Sequence, residues 1–426
     1  MRTVKIFQIG LSSFGRHGFE KFIDMEKNLP EADVELVGVA DTDPEKLRSA
    51  ERFAKVHDTE IETFHTAGAM YSRAEQVEST ENQVLVYDAG PTESHSNHID
   101  ESIHRGFYHL SEKPSSMRRE EHIREKRLAE DRDVKWMVDF IERENPVVKK
   151  TLEILEEEEV EKIEVFRESS MGIQKLFHPV KRAGVKGGDI LDKMTHEVYV
   201  LDFLEAAGIE NPEMNLQSVD AKYFMPKDFD SEKMMTITGG YTKSIDKTAS
   251  TAMTHTEFKS SDVELNLNSS WIGASQKAEE IAEEVNQKMD KKIIEREYIQ
   301  EEDKVYQDEE ARFFLVDGSR RLLGDMLHSK LYDIDKKEEI NTPDLLHDQV
   351  YRVLENSVLE AADIVENPIG EKETDTFMNA IFNIRDKAVQ TKDFWQELEK
   401  AHRKLDAEIL EDGKTLEDTE TKSIAG

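Results

Sequence analysis

Three side chains of this sequence are suited to moving a proton beside a hydride: Lys113, Asp192 and His196. Taking hydride from a carbinol carbon requires that the hydroxyl lose its proton. That calls for a base titrating near working pH, and histidine is the side chain that does so. Asp192 and His196 are four apart in Gly187-Gly-Asp-Ile-Leu-Asp-Lys-Met-Thr-His196, which puts them on one face of a helix. Asp192 can then contact a substrate or orient the imidazole. Lys113 lies in Ser111-Glu-Lys-Pro114, directly after the strand-like Tyr108-His-Leu110. A cation there can polarise a reacting oxygen and stabilise alkoxide charge, while Pro114 holds Lys113 extended. The plainer readings are a packed or surface histidine and an ordinary surface lysine.

The elements that must position these groups begin with the apolar strand Val4–Ile9. Gly10, Ser12 and Gly15 follow it at the spacing of G-x-G-x-x-G, with Ser replacing the middle Gly. Such a turn presents backbone N–H groups and a helix start to a pyrophosphate. A second strand, Val34–Ala40, ends at Asp41, whose carboxylate can accept hydrogen bonds from ribose hydroxyls and would repel a 2′-phosphate. With no Lys or Arg at 42–45, NAD is favoured over NADP. Further strands at Val84–Tyr87 and Tyr108–Leu110 alternate with helices, which predicts a parallel α/β sheet over residues 1–125. Trp136–Phe140 reads as one more strand.

Residues 126–412 change character: strand-like stretches recur with few helices between them. They read as an α+β domain with a large, mainly antiparallel open sheet. Met234–Thr238 and Val263–Trp271 are among its expected strands, and Trp271 is equally suited to pocket or core. A polar helical insertion, about 274–300, reads as a surface excursion. Amphipathic helices are expected at 345–366 and 376–407, and a disordered polar tail from 413 to 426.

Asp88-Ala-Gly-Pro-Thr-Glu-Ser-His95, then Ser111-Glu-Lys-Pro114, then the Gly187–His196 segment stand in the order and spacing of three motifs. Together they resemble the glucose–fructose oxidoreductase, inositol dehydrogenase and MocA family. The resemblance covers residues 1–205 and implies a nicotinamide-dependent dehydrogenase of a sugar, cyclic polyol or sugar derivative. It implies Lys113 for cofactor and substrate contact, Asp192 for substrate positioning and His196 as proton acceptor. The expected cofactor contacts are Gly10, Ser12, Phe14, Gly15, Asp41, Pro91, Thr92, His95, Glu112 and Lys113, with His95 and Pro91 shaping the loop. The family needs no metal. One alternative is a dehydrogenase of nucleotide-activated sugars, with Lys175, Lys181, Arg182 and Lys186 available for a diphosphate. Another is a non-catalytic NAD-binding sensor or subunit.

Composition narrows the setting. The 426 residues include 57 Lys+Arg and 92 Asp+Glu, a net charge of −35, and no cysteine. Nucleic-acid binding needs clustered cations, and none cluster here. Without cysteine there is no disulfide, thiol nucleophile or thiolate metal site. No apolar run reaches the roughly 20 residues of a membrane span, and a cytoplasmic location is expected. The acids are spread along the chain, as in proteins of cytoplasms holding molar salt, although 36 Lys against 21 Arg is unusual for that class. An open sheet would expose apolar surface, so a homodimer or homotetramer built on it is expected.

Overall fold

The computed structural model describes residues 2–168, 188–224, 250–270, 275–293, 298–301, 304–307, 311–343, 348–364 and 371–387. Strands β1 (Thr3–Ile9), β2 (Asp33–Ala40), β3 (Glu62–Phe64), β4 (Asn82–Asp88), β5 (Tyr108–Glu112) and β6 (Trp136–Asp139) form one parallel sheet in the order β3-β2-β1-β4-β5-β6. Helices α1 (Ser13–Asn28), α2 (Pro44–Val56), α3 (Ala67–Val77), α4 (Thr92–His104) and α5 (Arg119–Arg132) make the crossovers. β1 and β4 are buried nearly end to end, as expected of strands covered on both faces. Asp43 accepts a hydrogen bond from Glu45 N and Pro44 opens α2, the capping pattern its sequence predicts. The expected boundary at residue 125 falls inside α5, and β6 carries the same sheet on to Asp139.

A 3-10 turn, Ile141–Glu144, leads into α6 (Pro146–Leu155) and β7 (Val160–Glu168). With β8 (Asn215–Phe224), β9 (Ser250–Ser260) and β10 (Val263–Ser270), β7 forms half of an eight-stranded sheet. A small hairpin, β11 (Tyr298–Glu301) and β12 (Lys304–Gln307), stands apart. The other half is β13 (Ala311–Gly318), β14 (Leu322–Asp325), β15 (Lys330–Asp333) and β16 (Glu338–Ile340). The order is β16-β15-β14-β13-β7-β10-β9-β8, antiparallel except for β7 beside β10. Short helices α7 (Gly188–Asp192) and α8 (Tyr199–Ala206) flank a 3-10 turn, Met194–Val198. Helices α9 (Gln276–Lys288), α10 (Gln349–Ala361) and α11 (Glu371–Lys387) complete the described chain.

One face of the large sheet, including Ile163, Val165, Leu265 and Phe314, packs on α6, α8 and α11. The opposite face carries Phe166, Phe313, Leu315, Leu323 and Tyr332, and α9 lies across it through Ala278 and Val285. The insertion read as a surface excursion therefore buries one side, because its apolar residues recur at helical spacing. α10 returns to the first domain, where Tyr351, Leu354 and Val358 pack with Phe19 and Phe22. The expected strand Met234–Thr238, Trp271 and the tail lie outside the described residues.

Candidate active site

The glycine turn leaves β1 at the carboxyl edge of the parallel sheet, where strand order reverses between β1 and β4. Gly10 has φ +86°, and a Cβ there would lie 2.5 Å from Ala89 O. A Cβ on Gly15 would lie 2.3 Å from Gly10 O. Both positions therefore require glycine, whereas position 12 accommodates Ser12, whose side chain makes no capping bond to α1. Phe14 stands beside the turn with 51% of its surface exposed.

Asp41 ties this turn to the end of β2. One carboxylate oxygen accepts from Leu11 N at 2.8 Å and the other from Asp43 N at 2.9 Å. Lys46 Nζ lies 3.4 Å from Asp41, one residue beyond the cation-free stretch 42–45. A cleft of about 340 Å³ opens here, lined by Gly10, Ser12, Asp41, His65, Pro91 and His98 among others. That volume suits a small-molecule site. The glycine cradle, the helix start and the acid at the second strand fit the adenosine and pyrophosphate half of a dinucleotide.

On the far wall, Pro91 precedes Thr92 at the start of α4. His95 is buried, with Nδ1 3.0 Å from Pro114 O and Nε2 3.1 Å from Gly90 O, so its ring bridges the loops after β4 and β5. Asp88 is fully buried and accepts from Gly90 N at 2.9 Å, with His98 Nδ1 2.8 Å away. Burial alone would raise its pKa, but His95, His98 and His109 outweigh that and hold it at about 2. Asp88 and His98 were not among the expected site residues; two acids followed by two histidines within 88–98 were the available signal.

Lys113 follows β5, and its Nζ donates to Asp192 O at 2.7 Å while standing 3.7 Å from Asp192 Oδ1. Both side chains are mostly buried, at 13% and 12% exposure. The fold thus joins the two residues across 79 positions of sequence. Glu112 accepts from Tyr87 Oη at 2.8 Å and faces Asp139 in the strand register. Burial, then the neighbouring Glu112 carboxylate, push the Asp139 carboxyl well above its ordinary range. The Lys113 charge works the other way on Asp139, another group the sequence pattern did not single out.

Asp192 and His196 do not share one continuous helix as expected. α7 ends at Asp192, Lys193 turns, and half-buried His196 lies on the following 3-10 turn. The local sequence contains neither Gly nor Pro at this break; anchoring from outside accounts for it. Asp189 is fully buried and accepts from Ser269 Oγ at 2.6 Å and Thr254 Oγ1 at 3.2 Å. Lys193 Nζ donates to Ser270 O at 2.6 Å. Glu197, next to His196, pairs with Arg167 of β7, which reaches Glu142 at 2.8 Å, and Arg312 of β13 pairs with Glu142 as well. Two arginines and two glutamates thus bind the histidine's turn to the inter-domain turn. Lys175, Lys181, Arg182 and Lys186 lie outside the described residues. Among the described residues no three His, Asp or Glu side chains are placed to hold a metal ion, and no helix is long and apolar enough to cross a membrane.

A parallel nucleotide-binding sheet is joined to a large mixed sheet, with charged residues meeting between them. The family model "Oxidoreductase family, NAD-binding Rossmann fold" matches residues 4–140, so the first domain is similar to the NAD-binding domain of the Gfo/Idh/MocA oxidoreductases. No curated protein sequence matches significantly. Solved structures share the fold across both domains. A UDP-N-acetylglucosamine 3-dehydrogenase from Acidithiobacillus ferrooxidans is 16% identical with a TM-score of 0.60, covering 91% of this chain and 98% of its own. A myo-inositol 2-dehydrogenase from Lactobacillus plantarum is 11% identical with a TM-score of 0.59, covering 91% and 97%. A Bordetella pertussis dehydrogenase solved with NADH and UDP-GlcNAcA is 14% identical with a TM-score of 0.59, covering 91% and 98%.

Proposed function

We propose that the chain binds NAD(H) and interconverts a secondary alcohol and a ketone of a sugar, cyclic polyol or sugar derivative. The observation that carries this is the Lys113–Asp192 contact, which places a cation and a carboxylate from the two domains at the carboxyl edge of the nucleotide-binding sheet. Nicotinamide supplies hydride acceptance and donation when bound. Lys113 polarises the carbinol oxygen and stabilises its developing negative charge. Asp192 holds Lys113 in place and accepts a substrate hydroxyl, and His196 takes the hydroxyl proton. Gly10, Ser12, Gly15 and Asp41 hold the adenosine diphosphate half, with Phe14, Pro91, Thr92, His95 and Glu112 around the rest. Lys113→Ala and His196→Ala are each expected to cut turnover at least ~100-fold, with NADH binding at Asp41 retained. Near-normal turnover in either variant removes that residue from the chemistry.

A second reading, oxidation of a nucleotide-activated sugar, is favoured by two of the similar structures, whose names contain UDP-sugars. A panel of sugars, inositols and UDP-sugars assayed with NAD separates the two. Binding of NADH with no turnover across that panel would instead favour a redox-sensing role.

A further inference from the structure

The cleft proposed to hold NAD(H) has polar groups left over once diphosphate and ribose are placed at the glycine turn and Asp41. They are His65 and Thr66, after β3, and Ser94 and His98, on one face of α4. The base is the part of the nucleotide left to meet them. β2 and β4 flank β1, so their carboxyl ends stand roughly 10 Å apart. With a hydrogen bond at each end, an adenosine covers about that span from its ribose hydroxyls to its 6-amino group. Asp41 stands at one end of the span and the wall that carries His98 at the other.

His98 is held more firmly than a solvated histidine needs. Its Nδ1 donates to Asp88 Oδ2 at 2.8 Å, and Asp88 Oδ1 accepts from Gly90 N at 2.9 Å. Asp88 is fully buried. Burial pushes its pKa up, but His95, His98 and His109 outweigh this and hold it at about 2, so both oxygens are acceptors. Gly90 leaves room for the pair, since a Cβ there would lie 2.9 Å from Asp88 Oδ1 and 3.8 Å from His98 Cε1. From α3, buried Tyr71 donates to His98 O at 2.9 Å. The ring therefore keeps its Nδ1 edge inward, and 19% of the side chain stays exposed where it lines the cleft.

A carboxylate at Nδ1 selects the tautomer. Nδ1 carries the hydrogen, and Nε2 of the neutral ring is an acceptor. An acceptor at this wall matches the 6-amino group of adenine, which donates. It opposes the 6-oxo group of hypoxanthine, which accepts.

We propose that His98, oriented by Asp88, reads the 6-position of the cofactor's purine and selects adenine. This rests on the reading of the cleft as the NAD(H) site. His98 is then a specificity residue, and Asp88 a positioning residue that acts through it.

Fluorescence titration with NADH and with reduced nicotinamide hypoxanthine dinucleotide tests this, at alkaline pH where an imidazole is uncharged. The wild-type protein should bind NADH about 10-fold more tightly, the cost of setting one acceptor against another. His98→Leu should bring the two affinities within about 2-fold of each other. Asp88→Asn should invert the preference. Gly90 N holds the amide oxygen, so the amide nitrogen faces His98 and donates to Nδ1, and Nε2 becomes a donor matched to the 6-oxo group. A change of packing alone would not reverse the order of two ligands that differ at this one position. His65→Leu, on the opposite wall, should keep the wild-type ratio within about 2-fold. Equal affinities in the wild-type protein, a ratio unchanged by His98→Leu, or one abolished by His65→Leu would overturn the proposal, while NADH binding in the same titrations would uphold the cofactor site. No NADH binding at all would overturn both. Should Asp88→Asn fail to accumulate, the half-buried His98 position decides alone.

Discussion

Asp41 does two jobs with one carboxylate. It accepts backbone hydrogen bonds from Leu11 and Asp43, which shape the turn, and it lines the cleft proposed to hold the cofactor. Lys46 at 3.4 Å offsets part of its charge, so repulsion of a 2′-phosphate is weaker than Asp41 alone would impose. NADH is expected to bind more tightly than NADPH. Lys46→Ala should widen that preference by roughly 5-fold, about 1 kcal/mol for a charge pair near a surface. Fluorescence titration with both nucleotides measures it, and an unchanged ratio would show that Lys46 does not face the phosphate position. The glycines, Asp41 and the Glu-Lys-Pro segment were legible in sequence because each has a fixed offset from a strand end. His98 and Asp139 were not, since their importance comes from partners on other strands and helices, and Asp88 showed only as part of a motif.

At the level of elements, the turn Ile141–Glu144 joins the domains through buried charge as well as through Ile141, which packs against both cores. Glu142 is fully buried and faces Arg167 and Arg312, while Arg143 pairs with Asp202 at 2.8 Å. Burial would raise the Glu142 pKa, but the two arginines bring it down to about 2 from 4.5. A carboxyl depressed on folding contributes stability above its unfolded pKa and loses it as pH falls through the folded value. This contribution should therefore fade between about pH 4.5 and 2. Glu142→Gln leaves buried Arg167 and half-buried Arg312 under-neutralised and should cost about 3–5 kcal/mol in urea unfolding at neutral pH. The same substitution should flatten the acid limb of the stability curve. Equal stability of variant and wild type would show that the quartet is dispensable. Such partners, drawn from the 3-10 turns and two distant strands, leave no local pattern. That is also why the break between Asp192 and His196 was missed: the i, i+4 spacing is real, but Asp189 and Lys193 are pulled toward β9 and β10. By contrast, the strands of the large sheet could be read from alternation, and the apolar side of α9 was present in Ala278, Ile281 and Val285 but outweighed by its acids.

For the whole molecule the governing number is the net charge of −35. At molar salt the Debye length shrinks to about 3 Å, and repulsion among solvated carboxylates is screened while paired, buried ones are little affected. Thermal stability should climb as KCl rises from low to molar concentration. A melting temperature independent of KCl would mean that the carboxylates are already compensated by the 57 cations and that the composition reflects no salt adaptation.

The return of α10 to the first core has a consequence for biosynthesis. Tyr351, Leu354 and Val358 fill the groove beside Phe19 and Phe22, yet they leave the ribosome long after the parallel sheet has been made. The nucleotide-binding half must wait, partly uncovered, for a segment translated after the entire second sheet. An amino-terminal fragment stopping at Asp139 would keep that groove open, so completion of the first domain is coupled to synthesis of nearly all of the second.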